Sequence, residues 1–503
     1  FLVFIWRLGT RGVHATVAAI AGLSLLASIA VMQYDDAAAF YLTPFRAWEF
    51  LLGSLLALET VPPLARRWQR EAATAAGLLL ILTAVLCYSD VTAFPGVTAL
   101  VPCVGAALVI HGGYGEGAPK SWATRLISTK PFVGVGLISY SLYLWHWPLI
   151  VLVGYVLIDQ LSLFQTAALI AASFALALLS WRYIERPSRA ARDVPVFAAG
   201  ALATIATGIT GLAIYLDGGW PMRFSKDVNT LASYEMSANP EADECGDVSL
   251  QLAANSPCTI GARANARIFL WGDSHAGALF GAMSRFAAQG SSTVYGATPR
   301  CPPLLGVGTD QDCIRGNDLR LKYVLNHPEL KTVIIAARWS LYLEGRAVEL
   351  GPAERNGNVP QLQNRDGIQF DRFSAEARDA FEASLDRSVH RLLQAGKKVV
   401  IVYPVPEIGY DVPSSAARLL RQGDDPSSLG VPESVYWERQ QIALGILDRL
   451  GPHPRLMRIY PTQVLCPEKR CVAVVDGKPL YFDSHHLSIP GSEMLVPLLA
   501  RVL

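Results

Sequence analysis

Ile268-Phe269-Leu270-Trp271-Gly272-Asp273-Ser274-His275 is the stretch that decides the fold. A short apolar run ends in Gly-Asp-Ser-His, and residues 276–289 then suit a helix. A strand passing straight into a helix leaves Ser274 on a sharp turn at the edge of a sheet. The first backbone N–H groups of a helix lack intrahelical partners and can stabilise an oxyanion on a substrate carbonyl. Far downstream, Asp483-Ser484-His485-His486-Leu487 places a carboxylate and a histidine three residues apart. Residues three apart on a helical turn are neighbours. Asp483 can therefore hold one ring nitrogen of His486 while the other faces Ser274, with His485 pointing away. Together the two stretches outline a nucleophile, its base and the group that orients the base. The plainer reading of either stretch alone is a solvated turn, since turns favour these residues.

Working outward, the chain has 503 residues, a formal net charge of +1 and 17% charged residues. That length allows several domains, and the balanced charge argues against a nucleic-acid binder. The charges are unevenly placed. Residues 1–216 hold seven apolar runs, roughly 14–33, 44–60, 72–89, 93–111, 131–157, 163–184 and 195–216. A bilayer core needs about 20 apolar residues per helix, so these are expected membrane spans rather than buried core helices. Arg7 and Arg11, then Arg66, Arg67 and Arg70, then Arg125 and Lys130, then Arg182, Arg186, Arg189 and Arg192 mark alternate connections. The connections 33–43 and 157–162 have no Lys or Arg. The positive-inside rule puts the basic loops in the cytoplasm and everything after Asp217 outside it.

Six of the eight cysteines fall in that second half, as the close pairs Cys245/Cys258, Cys301/Cys313 and Cys466/Cys471. In an oxidising compartment they are expected as three short disulfide loops; a zinc site is the alternative. Cys87 and Cys103 lie in or near spans and read as apolar residues. The chain starts on the apolar stretch 1–6 without Met and without a signal peptide's basic region, so it is expected to be a fragment of a longer protein.

Residues 217–262 show little periodicity and read as a linker with a disulfide-tied flap; 263–503 reads as one exported domain. Strands are expected at 268–271, 332–337, 398–403 and 456–460. Helices are expected at 374–395, capped by Ser374 and stopped by Gly396, at 432–450 and at 490–503. The alternation predicts an α/β fold, three layers around a mainly parallel sheet. Its ligands should sit at the C-terminal strand ends, where Ser274 falls.

The Gly272-Asp273-Ser274 turn and the Asp483-to-His486 pair resemble those of the SGNH hydrolase-like domain. Three membrane stretches are similar to motifs of the acyltransferase-3 family: Phe45-Arg46-Ala47-Trp48-Glu49-Phe50-Leu51-Leu52-Gly53, Ser139-Tyr140-Ser141-Leu142-Tyr143-Leu144-Trp145-His146-Trp147-Pro148, and Trp181-Arg182-Tyr183-Ile184-Glu185-Arg186-Pro187. Fused in this order, the halves resemble bacterial O-acetyltransferases that modify lipopolysaccharide O-antigen or peptidoglycan. The resemblance implies an acetyl donor, acetyl-CoA, with no bound cofactor and no metal. It also implies a cell-surface glycan acceptor, a lipid bilayer around residues 1–216 and an inner-membrane location with the C-terminal domain periplasmic or extracellular. The family's first helices carry an Arg and a His for acyl transfer, and they are missing from this sequence. Arg46, Glu49 and His146 are candidates for the acyl path; an interfacial ion pair and an aromatic belt are the plainer alternatives. An exported membrane-anchored esterase and a polysaccharide transporter are the rival functions.

The family's oxyanion asparagine in Gly-x-Asn-Asp also lacks a clear counterpart. Arg315-Gly316-Asn317-Asp318 follows Cys313 in an expected loop with no strand before it, and is read as a decoy. The oxyanion donors are then expected from the Ser274 N–H, the backbone near Gly296, and Arg338 or Trp339.

Overall fold

The computed structural model describes residues 9–32, 34–89, 92–114, 121–156, 161–190, 194–236, 245–345 and 359–503. The chain start at 1–6, Arg7, Arg192 and part of the 157–162 connection lie outside these. The chain divides into two compact units, 1–148 with 170–191 and 149–169 with 192–503.

All seven apolar runs form helices: α1 (Gly9–Val31), α2 (Thr43–Ala57), α3 (Arg67–Cys87), α4 (Leu100–Gly113), α5 (Lys130–Val156), α6 (Leu163–Ser180) and α7 (Val194–Leu216). Five of them have the length and composition to cross a membrane. Helices α2 and α4 are the short ones, of 15 and 14 residues. At 1.5 Å per residue they reach only about 21–23 Å against a core of about 30 Å. The run 93–111 loses its first turns because Pro95 and Gly96 sit in a non-helical segment. Pro has no N–H to give and Gly is a poor helix former.

In the first unit, small residues let helices approach closely. A Cβ on Gly77 of α3 would lie 2.5 Å from the Gly105 carbonyl of α4. Ser24 of α1 donates to the Pro44 carbonyl and accepts from Trp48 N–H.

The second unit carries the sheet. Its strands are β1 (Thr259–Ile260), β2 (Ala266–Gly272), β3 (Ser292–Ala297), β4 (Thr332–Ala336), β5 (Lys398–Val402) and β6 (Leu456–Ile459). Their order is β1-β3-β2-β4-β5-β6. All pairings are parallel except the β1–β3 edge. Strands β2, β4 and β5 are near-continuous apolar runs because both sheet faces are covered. Between strands run α8 (Ser274–Gly277), α9 (Phe280–Ala288), α10 (Gln311–Asn326), α11 (Trp339–Leu343), α12 (Ala375–Gln394) and α13 (Glu433–Arg449). Ser374 caps α12 by accepting from Ala377 N–H, as its sequence position predicts.

Three expectations change here. The stretch 217–262 is more than a linker: Val228, Leu231, Val248, Leu252 and Ile260 join the core of the sheet. The helix expected over 276–289 is broken, one turn at Ser274–Gly277 and a second piece from Phe280. The C-terminal helix is likewise split into Ile489–Glu493 and Val496–Ala500.

Ignoring the antiparallel edge strand, the parallel strands are ordered second-first-third-fourth-fifth. Chain direction across the sheet therefore reverses between β2 and β4. That crevice, outside the carboxyl ends of the strands, is where open α/β sheets bind ligands.

Candidate active site

Strand β2 delivers Gly272, Asp273 and Ser274 to this crevice. Gly272 is required there, since a Cβ would sit 1.7 Å from the Ala336 carbonyl of β4. Asp273 caps the turn of α8 and accepts from His275 N–H at 2.8 Å. Its second oxygen accepts from Arg338 N–H at 2.9 Å and from Tyr342 Oη at 2.7 Å. Burial raises the Asp273 carboxyl above its ordinary value against these three donors. The Tyr342 hydroxyl is pushed well up, by burial and then by Asp273. The loop after β2 is thus tied to the loop after β4 through one buried carboxylate.

The segment 482–486 closes on itself, Phe482 N–H donating to the His486 carbonyl at 3.1 Å. Inside this turn Asp483 Oδ1 accepts from the N–H groups of His485 and His486 at 2.8 and 2.7 Å. Asp483 Oδ2 lies 2.5 Å from His486 Nδ1, and His486 Nε2 lies 2.7 Å from Ser274 Oγ. Phe482 stacks on the His486 ring at 5.1 Å between centroids and 4° between planes. Burial would raise the Asp483 carboxyl, but the hydrogen bonds from His485 and His486 outweigh it and hold the group well below its ordinary range. A carboxylate so held fixes the Nδ1–H tautomer, which leaves Nε2 to accept the serine proton.

His485 lies in the crevice too. Its Nδ1 is 3.1 Å from Asp483 Oδ1, so the expectation that it points away is corrected; the tight turn brings both rings to one carboxylate. His486 is still the ring that reaches Ser274. Beside them His275 is buried, and burial, then the neighbouring His486 and His485, hold its imidazole well below the usual value.

The donors expected for the oxyanion are placed differently. Arg338 N–H is committed to Asp273, and its guanidinium binds Glu407 through Nε–Oε1 at 3.0 Å. Trp339 Nε1 donates to the Val402 carbonyl at 3.0 Å. Gly296 lies within β3, where a Cβ would meet the Phe269 ring at 2.6 Å, so close packing explains the glycine. Of the expected donors, the Ser274 N–H remains, at the start of its helical turn. Asn317 is not in a loop but inside α10, fully buried. It accepts from Trp271 Nε1 at 2.8 Å and donates to the Pro302 and Leu304 carbonyls at 2.8 and 3.0 Å. It serves the core and not the serine.

Beneath Arg338, Glu407 is nearly inaccessible and also accepts from Arg439 Nε at 3.0 Å and Ser340 Oγ at 3.2 Å. Burial opposes its charge, yet Arg338 and Arg439 hold its carboxyl far below the ordinary range. Sequence patterns single out neither Glu407 nor Tyr342. The available signal is a lone acid in Pro404-Val405-Pro406-Glu407, directly after an apolar strand.

The six cysteines form the disulfides Cys245–Cys258, Cys301–Cys313 and Cys466–Cys471, so these thiols are not zinc ligands. Cys301 follows β3 and Cys313 lies in α10, which fastens the loop after β3 to that helix.

In the helical unit, Arg46 binds Glu49 through two hydrogen bonds of 3.1 and 2.9 Å within α2. His146 Nδ1 lies 2.7 Å from the Tyr143 carbonyl of its own helix. Among the described residues no hydrogen bond or ion pair joins His146 to Arg46 or Glu49. Two motifs do meet elsewhere: Ser141 Oγ donates to Glu185 at 2.6 Å, and Glu185 also pairs with Arg189 at 2.8 Å. Glu185 ends a single π-helical turn, Trp181–Glu185.

Residues 242–501 match the SGNH domain (fused to AT3 domains), and residues 1–182 match the acyltransferase domain. The chain belongs to this family of SGNH domains fused to membrane acyltransferase domains. Among relatives, it is 33% identical to BcsY of Komagataeibacter xylinus over 153 residues, 30% of this chain and 37% of that one. It is 30% identical to the peptidoglycan O-acetyltransferase OatA of Listeria monocytogenes over 183 residues, 33% of this chain and 29% of that one. The chain thus spans about a third of the length of these relatives. The solved periplasmic domain of a lipopolysaccharide acetyltransferase from Salmonella ser. Paratyphi A aligns with a TM-score of 0.37 at 18% identity, over 55% of this chain and 96% of that one.

Proposed function

We propose that this protein is an O-acyltransferase that moves an acetyl group to hydroxyls of a cell-surface polysaccharide, with Ser274, His486 and Asp483 as the catalytic residues. The observation that carries the reading is the continuous relay from Asp483 Oδ2 to His486 Nδ1 at 2.5 Å and from His486 Nε2 to Ser274 Oγ at 2.7 Å. The membership in an acyltransferase-fused family supports transfer, and the naming of relatives as O-acetyltransferases supports acetyl as the group moved.

In this mechanism the membrane helices receive acetyl from cytoplasmic acetyl-CoA, with Arg46, Glu49 and His146 as candidates along the acyl path. The basic connections orient the chain so that the sheet unit faces the periplasm or cell exterior, on the outer side of the cytoplasmic membrane. Ser274 Oγ attacks the acyl carbonyl as its proton passes to His486 Nε2. The leaving group takes that proton, and Ser274 is left as an acetyl ester. A sugar hydroxyl then gives its proton to His486 and attacks the ester, and the proton returns to Ser274 as the serine is released. Asp483 holds the imidazole tautomer throughout and stabilises the imidazolium. The Ser274 N–H is the nearest candidate donor to the developing oxyanion.

The test is glycan analysis of a deletion strain carrying the gene or its Ser274→Ala variant. O-acetyl groups should return with the wild-type gene and not with the variant. Return with both would refute the role of Ser274. Turnover of acetyl esters with no gain of glycan acetylation would make the protein an esterase.

A further inference from the structure

The mechanism uses one histidine of the crevice, yet three gather there. One ring nitrogen each of His275, His485 and His486 lies within 4.8 Å of the other two. The His275 ring stands 5.3 Å from that of His485 and 4.9 Å from that of His486, between centroids. His275 is 4% exposed, and its buried Nε2 has no hydrogen-bond partner among the described residues. A buried polar atom left unsatisfied calls for a specific explanation, an ion or water among them.

We propose that His275, His485 and His486 form a binding site for a divalent transition ion of the zinc type, and that the ion, when bound, holds the site inactive by occupying the base. Three imidazoles with an open fourth position are a common donor set for such ions, and imidazole nitrogen suits zinc, copper and nickel. Zinc–nitrogen bonds of about 2.0–2.1 Å set tetrahedral ligand atoms about 3.4 Å apart. The rings must therefore close in slightly. His485 and His486 can make that movement, since both lie on the 482–486 turn and are partly exposed. Behind His486, Asp483 supplies the carboxylate that commonly backs a metal-bound imidazole, fixing its tautomer and offsetting the ion's charge. His486 Nε2 has one lone pair. Given to a metal, it cannot accept the Ser274 proton, so the serine stays a neutral hydroxyl and acyl transfer stops until the ion leaves.

The second half of this inference rests on the serine mechanism above; the first half does not. Zinc chloride is titrated calorimetrically into the full chain in detergent. Wild type and Ser274→Ala should each bind one ion at this site, because Ser274 is no ligand. His275→Gln and His485→Ala should bind at least about tenfold more weakly. Thermal melts check that His275→Gln folds; if it does not, the more exposed His485→Ala decides alone. Zinc affinity unchanged in the folded variants would overturn the site. In parallel, zinc should slow fluorophosphonate labelling of wild-type Ser274, a chelator should restore it, and labelling of His485→Ala should resist zinc. Binding at the three histidines with undiminished labelling would overturn the switch. Failure of labelling without zinc would count against the serine mechanism, and the calorimetry would still decide whether the three histidines bind the ion.

Discussion

In the sheet unit, residues 212 positions apart meet at hydrogen-bond distance, Ser274 with His486. In the helical unit, Arg46, Glu49 and His146 bond within their own helices. The difference follows from architecture. A parallel sheet gathers the ends of many strands at one edge, so distant motifs converge. A helix returns to the same face every three or four residues, so a polar side chain finds its first partner one turn away. Ser141 with Glu185, and Ser24 with Pro44 and Trp48, are contacts between helices in that unit. Long-range side-chain geometry is therefore explicit in the sheet unit, while the proposed acyl-path residues of the helical unit bond locally.

The comparison breaks first if the sheet unit's relay is idle. Ser274→Ala and His486→Ala should each lower turnover of a small acetyl ester by about 10³-fold or more, measured on the full chain in detergent with melts as controls. Activity within about tenfold of wild type in either variant would remove the relay from the mechanism.

Next in size is Glu407→Gln. It removes the carboxylate that Arg338 and Arg439 share and leaves Glu344, 3.4 Å from Arg439, as a weaker counter-charge; a broken buried pair typically costs about 3–5 kcal/mol. Chemical denaturation should show the loss. The pH dependence has a definite sign. Glu407 has a folded value far below its unfolded one, so its contribution is present above about pH 4.3 and is lost as pH falls toward the folded value. Wild type should lose stability below about pH 4 more steeply than Glu407→Gln; identical acid profiles would show that Glu407 is not held as an anion. The groups that act on it are Arg338 and Arg439, with Ser340 and the charge of nearby His485.

Tyr342→Phe sharpens the account of how the serine turn is held. It removes one of three donors to the buried Asp273 carboxylate, and stability should drop by about 1–3 kcal/mol, with a smaller loss of rate than the relay variants. A rate loss equal to that of His486→Ala would move Tyr342 into the chemistry itself. The smallest effect is expected from His485→Ala, within about a few-fold in rate without added metal, because its ring shares Asp483 but does not reach Ser274. If His485→Ala were as damaging as His486→Ala, the assignment of the base would need revision.

Much of this is legible in the sequence for particular reasons. The run 268–271 ending in Gly-Asp-Ser sets both the strand and its turn. The spacing from Asp483 to His486 sets a bonded pair whatever surrounds it. Local patterns cannot show Asp273 as a tie between two loops, because Tyr342 and Arg338 reach it only once β2 and β4 are neighbours. Glu407 and Arg439 are hidden for the same reason. The break in the helix after Gly277 escapes a sequence reading because 276–289 is apolar and Ala-rich throughout. Helices α2 and α4 come out shorter than their apolar runs because apolar composition runs past the residues that stop a helix. Asn317 shows the reverse risk: a motif-like tetrapeptide that the fold uses to pin Trp271 and the 302–304 loop.

The central claim is that Ser274 becomes acylated with His486 as its base. Mass spectrometry of the full chain, acid-quenched during turnover of an acetyl ester, tests it directly. The account predicts one acetyl group on the peptide containing Ser274 in wild type and none in Ser274→Ala or His486→Ala. Steady turnover with the Ser274 peptide never modified, or acetyl found on another residue that persists in Ser274→Ala, would contradict it.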